Sequence, residues 1–262
     1  MIAEGTFELH PGDALYPKTV LELPDVPQTL YVRGNAEVLS TPALSIIGAR
    51  KASPYGLAVA ELAAKVAVEA GVTVVSGGAV GCDQASGWAA VNAGGKHVVV
   101  LGTGADVVYP RSSAGLITRT LDTGGAVVSI SPWGMGPRKF AFPRRNRVIA
   151  ALSQALFVSE AGMPSGTFST AEAAMDLGRG SLQCRVPSFR PSRAGPTILS
   201  LTEPAASSTS QSRWPSRVST ARCATRVPMY LASPIWTHAA GRDARAYRLA
   251  AQDRRHCRAR LA

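Results

Sequence analysis

The stretch GPRKFAFPRRNRVIA, residues 136–150, places Arg138, Lys139, Arg144, Arg145 and Arg147 around Phe140 and Phe142 and contains no acidic residue. Cations beside aromatic rings suit single-stranded nucleic acid, because phosphates meet the charge and unpaired bases stack on the rings. A solvated basic loop leading into a helix is the plainer account of an isolated charge run, and the interleaved rings shift the balance toward binding. A second stretch, SGGAVGCD (Ser76–Asp83), is a Gly-rich turn of the kind whose backbone N–H groups hold phosphate at a helix N-terminus. A turn that merely needs positive φ reads the same way. GTGAD (Gly102–Asp106) is a weaker signal, since paired glycines after a strand are commonly structural.

Catalytic patterns are thin. His10, His97, His238 and His256 are scattered, and none stands in a recognised pairing with Ser or Cys. Asp83, Asp106, Glu160 and Glu172 fall in or near expected strand-end loops, where a carboxylate binds ribose, acts as a base or caps a helix. Capping is the expected role of Asp83, and packing that of Trp88 and Trp133. Neither a strict GxGxxG nor a Walker loop occurs, and the four cysteines show no metal-ligand spacing. No metal or cofactor is expected.

The elements that must position these residues follow from the apolar rhythm that begins at residue 44. LSIIGAR, VTVVSGGAVG, KHVVVLGTGADVVYP, GGAVVSISPWG and ALSQALFVSEAG each read as a buried strand running into a loop. SPYGLAVAELAAKVAVEAG reads as a helix with Ser53 as N-cap, Pro54 in the first turn and Gly71 past the end. CDQASGWAAVNAGG and TFSTAEAAMDLGR read as two more. This alternation predicts an α/β fold, a Rossmann-like parallel sheet with helices on both faces. Ligands of such sheets bind beyond the C-terminal strand ends. Gly48–Arg50, Ser76–Gly78, Gly102–Asp106 and Ser159–Gly166 are therefore the places to look. Residues 1–40 form a lead-in of loops around a short strand at Thr29–Val32, and residues 41–179 form the core.

Net charge is +11, which by itself suggests a nucleic-acid partner. Its distribution argues otherwise. The first 179 residues balance Lys and Arg against Asp and Glu, so the whole excess lies in residues 180–262, where every cation is Arg. A tail selected for phosphate contact would mix Lys with Arg. No signal segment and no membrane-spanning apolar run is visible, and the cysteine usage suits a reducing compartment, so a cytoplasmic protein is expected.

Taken in order, SIIGAR, VVSGGAVGCD, VVVLGTGADVVYP, FPRRNRVIAALS, VSEAG and SGTFSTAEAAMDLGR resemble the DNA-processing protein A family of bacteria, DprA or Smf. The resemblance covers roughly residues 15–179, and FPRRNR in company with GTGADVVYP is its most specific part. It implies a protein that binds single-stranded DNA, protects it and helps load the recombinase RecA during natural transformation, with no catalytic centre. It also implies a homodimer, whose contact region would fall in the C-terminal part. By position, Arg50 matches the Arg of the first strand's turn in the DNA pocket. Ser76, Gly77 and Gly78 match the phosphate-facing turn, and Lys139, Phe142, Arg144 and Arg145 fall in or beside the cation and aromatic segment. The chain departs from the family at Ser86 and Gly87, commonly Ala-His, and at Ser113, commonly Asn. An enzyme is the alternative: a phosphoribohydrolase of the lysine-decarboxylase-like group, to which Gly166, Thr167 and Glu172 bear a loose likeness.

After residue 179 the family continues with a strand of the type V-F-A-V-P-G-S, absent from this chain. Reading the third base of each codon with the first two of the next restores it. Leu182–Gln183 through Val186–Pro187 then permit Ala, Val, Pro, Gly and Ser in order. The expectation is a frameshift near Gly180, which makes residues 180–262 an Arg/Ser/Pro-rich, largely irregular tail. A selected disordered basic tail is the other account of the same composition.

Overall fold

The computed structural model describes residues 5–161 and 166–183. The tail beyond Gln183 lies outside the described residues. Elements follow in the order β1 (Thr6–Leu9), β2 (Leu30–Gly34), β3 (Ala43–Ile47), α1 (Pro54–Glu69), β4 (Thr73–Ser76), α2 (Cys82–Asn92), β5 (His97–Leu101), α3 (Ala114–Asp122), β6 (Ala126–Ser129), α4 (Ala141–Ala151), β7 (Ala155–Val158), α5 (Thr167–Asp176) and β8 (Gly180–Gln183).

All eight strands form one sheet in the order β1-β2-β6-β5-β4-β3-β7-β8. From β6 to β8 every neighbouring pair is parallel. The chain steps outward from β3 to β6 and then returns to the other side of β3 for β7 and β8. Right-handed crossovers therefore put α1–α3 on one face and α4–α5 on the other. The α/β class expected from the sequence is the observed one.

Strand residues sort by parity onto the two faces, as a period of two requires. Val98, Val100 and Val128 join the core formed with Val148, Ile149 and the lead-in residues Val20, Leu23 and Leu30. Val99, Leu101 and Val127 pack instead with Ile117 of α3. Helix α1 starts where its sequence signals it. The Ser53 hydroxyl accepts from the Gly56 N–H, Pro54 occupies the first turn, and Gly71 takes φ +72° past the end.

Two features differ from the sequence reading. The lead-in is no mere approach to the core: β1 pairs antiparallel with β2, and β2 pairs antiparallel with β6, with Val32 opposite Val128. The sheet is thus mixed at this edge. At the other edge β8 continues the parallel ladder on β7, with Gly180 opposite Ala155. Strand β8 is thus formed by the four residues that follow the boundary drawn at residue 179.

Candidate nucleic-acid interface

Parallel strands bring the C-terminal ends of β3–β7 to one edge of the sheet. The N-termini of α1, α2 and α4 meet there, each a potential anion site through its unpaired N–H groups. They are not equivalent. At α1 the chain supplies its own anion: the Glu160 carboxylate accepts from the Ser53 N–H at 3.0 Å and the Ser53 hydroxyl at 2.7 Å. A Cβ at Gly56 would collide with that carboxylate, so this N-terminus is closed. Helices α2 and α4 have no side-chain cap.

The turn before α2 is held from behind. The Gly77 N–H donates to Asp83 Oδ2 at 3.0 Å, and the Gly77 carbonyl accepts from Arg145 Nη1 at 2.7 Å. The same Nη1 donates to the Val100 carbonyl at 2.7 Å, so one guanidinium bridges the ends of β4 and β5. Any Cβ at Gly77 would overlap that guanidinium, which is why glycine stands there. Gly81, at φ +92°, presses against the carbonyls of Ala49 and Arg50. Among the described residues no acceptor takes the N–H groups of Gly78, Val80 or Gly81.

Arg145 and Asp83 are both buried. Burial pushes the Asp83 carboxyl up, and the Arg145 charge offsets part of that shift. Burial likewise lowers Arg145 to about 10, opposed by Asp83 and reinforced by the positive charge of Arg50. Arg50 thus lies near enough to the turn for its field to be felt there.

The predicted site residues separate into two sets. Arg50, Lys139 and Arg144 are exposed and carry no ion pair among the described residues. Phe142 is half-buried, its ring 6.0 Å from the Arg145 guanidinium carbon and 5.9 Å from the Tyr109 ring. With Gly77 and Gly78 these groups share the strand-end edge. Ser76 and Arg145 point inward. The Ser76 hydroxyl is fully buried and hydrogen-bonds His97 Nε2 at 3.0 Å, while His97 Nδ1 meets Thr120 Oγ1 at 2.8 Å. Ser76 reaches the edge only through its backbone.

Helix α4 concentrates the electrostatics. Its first turn has no acidic residue, its N-cap is Phe140, and Arg138, Lys139 and Arg144 surround it. Cations at the positive end of a helix dipole repel it, and a bound anion relieves that repulsion. The carboxylates noted in the sequence do not neutralise this patch. Asp83 serves Gly77, Glu160 serves Ser53, and Asp106 accepts from the Gly134 N–H at 2.8 Å. Glu172 is exposed on α5, Gly166 is exposed and Thr167 is buried, while residues 162–165 lie outside the described residues. Sequence reasoning missed Tyr109, which is 44 % exposed against Phe142. The signal available was an aromatic in the loop after the third core strand. Trp133 packs edge-on to Tyr31 at 5.3 Å, as expected for a packing residue.

The chain matches the DNA recombination-mediator protein A family over residues 8–214. It is 36 % identical to protein Smf of Escherichia coli over 192 residues, covering 73 % of this chain and 51 % of that one. It is 38 % identical to the DNA processing protein DprA of Streptococcus pneumoniae over 169 residues, 64 % of this chain and 58 % of the relative. The X-ray structure of the S. pneumoniae protein superposes with a TM-score of 0.65 at 34 % identity, over 72 % of this chain and 66 % of that one. A DNA processing protein A structure from Helicobacter pylori, described for its single-stranded DNA binding mode, gives 0.63 at 26 % identity over 70 % and 82 %. The chain spans about half the length of the curated relatives it matches. From the sheet, the strand-end edge and these likenesses together, the chain belongs to the DNA recombination-mediator protein A family.

Proposed function

We propose that this chain binds single-stranded DNA along the strand-end edge, shields it and passes it to the recombinase RecA, without catalysing a reaction. The observation that carries this reading is the N-terminus of α4, without a side-chain cap and ringed by aromatic side chains and by cations that have no ion pair among the described residues. A flexible polyanion with exposed bases is the partner whose chemistry complements both features. Family membership and the DNA-binding H. pylori relative point the same way. Engagement of strand-end carboxylates by the chain's own backbone supports a role in binding rather than acid–base chemistry.

Fluorescence anisotropy with an oligothymidylate over a salt series tests it. Arg50→Ala and Lys139→Ala each weaken binding, and each reduces the magnitude of the salt slope by about 0.7, the value for one single-strand phosphate contact. Wild-type affinity and slope in both variants would remove the assignment. Nucleoside monophosphates incubated with the protein stay intact; release of free base would support the phosphoribohydrolase alternative instead. Accelerated RecA filament formation on coated DNA in the presence of the chain checks the mediator step.

A further inference from the structure

We propose that Tyr109 is a base-stacking contact of this interface, through which the site prefers unpaired bases; the proposal rests on the single-stranded DNA reading. Tyr109 lies in the loop after β5, at the same edge as the Gly77–Gly78 turn and the start of α4. Its ring is 5.9 Å from that of Phe142, tilted by 50°, and 44 % of the residue is exposed. Phe142 itself is confined. A Cβ at Gly102 would be 2.8 Å from its Cδ1, so the ring rests on bare backbone, and Arg145 and Tyr109 occupy two further sides. Phe142 thus backs Tyr109, and Tyr109 is the more exposed ring of the pair. No hydrogen bond engages its hydroxyl among the described residues, so burial of a polar group does not explain its position.

The loop is braced before any ligand arrives. Thr103 Oγ1 donates to the Val107 carbonyl at 2.7 Å, and the Val107 N–H donates to the Gly104 carbonyl at 2.9 Å. On the far side of Tyr109, Gln84 Nε2 donates to Ser112 Oγ at 3.0 Å and to the Gly78 carbonyl at 3.2 Å. One side chain therefore fastens the Tyr109 loop to the phosphate-facing turn. A nucleotide whose phosphate sits at that turn or on Lys139 brings its base to the aromatic side of the same edge. A duplex hides its base faces by stacking and pairing, so a ring contact of this kind selects single strands.

The test compares wild type, Tyr109→Ala and Tyr109→Phe on an oligothymidylate, on an abasic oligomer with the same number of phosphates, and on duplex DNA, with thermal melts confirming folding. Tyr109→Ala binds the oligothymidylate roughly 5- to 150-fold more weakly, the range for loss of one stacked base. It keeps wild-type affinity for the abasic oligomer and the wild-type salt slope, and loses preference over duplex. Tyr109→Phe restores binding. Unchanged affinity of Tyr109→Ala for the oligothymidylate overturns the proposal, and so does an equal loss on the abasic oligomer, which would mean that Tyr109 only shapes the loop. A wild-type chain that binds none of the oligomers overturns the DNA-binding reading itself, and this inference with it.

Discussion

In the run Arg144–Arg147, the helical rotation of about 100° per residue sends each side chain to a different place. Arg144 stays exposed, Arg145 turns into the sheet edge, Asn146 donates to Ser169 Oγ of α5 at 2.8 Å, and Arg147 pairs with Asp25 of the lead-in at 2.6 Å. The sequence showed a block of cations and could not sort them, because the sorting depends on what each face of α4 meets. The two neighbouring arginines should separate cleanly in experiment. Arg145→Ala removes the cation near the buried Asp83 carboxylate, leaves the Gly77 and Val100 carbonyls without their donor, and costs about 3–5 kcal/mol in urea unfolding. Arg144→Ala stays within about 0.5 kcal/mol of wild type in the same measurement. Its effect appears as a shallower salt dependence of DNA binding.

Elements β3–β7, α1, α2 and α5 were legible because each is a continuous apolar run or a helical period closed by a glycine just past its end. Strand β1 was not: four residues give too short an alternation to register, and its pairing is decided by a partner more than twenty residues away. The link between elements was equally hidden. Ser76, His97 and Thr120 tie β4, β5 and α3 together through one imidazole, and a Cβ at Gly87 would be only 2.7 Å from its Cε1. The ring fills the space beside Gly87 of α2. Burial keeps His97 neutral and pushes its pKa from 6.5 down to about 3. Between those values the unfolded chain binds the extra proton, so the stability this residue supplies is complete above pH 6.5 and is lost as pH falls toward 3. The loss approaches about 1.4 kcal/mol per pH unit. Asp83, with its raised pKa, acts in the opposite direction on acidification. A pH series of thermal melts on wild type and His97→Asn isolates the histidine: the variant loses stability less steeply over that range.

At the scale of the whole molecule, the sheet order puts the proposed binding edge at the middle strands and leaves the lead-in and β8 at the flanks. The family match continues to residue 214, into the stretch read as out of frame. The nucleotides across codons 176–206 decide that question; a shifted frame that does not encode the missing strand motif ends the frameshift account. The opposite flank has a consequence for handling the protein. Strand β2 covers β6 over four paired positions, from Tyr31 opposite Ser129 to Gly34 opposite Ala126. A chain cut to begin at Asn35 would leave the outer N–H and C=O groups of β6 bare beside an apolar core. Such an edge recruits strands from other copies. Size-exclusion chromatography should show the trimmed chain as soluble aggregate or precipitate, and a trimmed chain that elutes as a clean single species would contradict this. The residues that look most dispensable are thus the ones that keep copies of the sheet from adhering to one another.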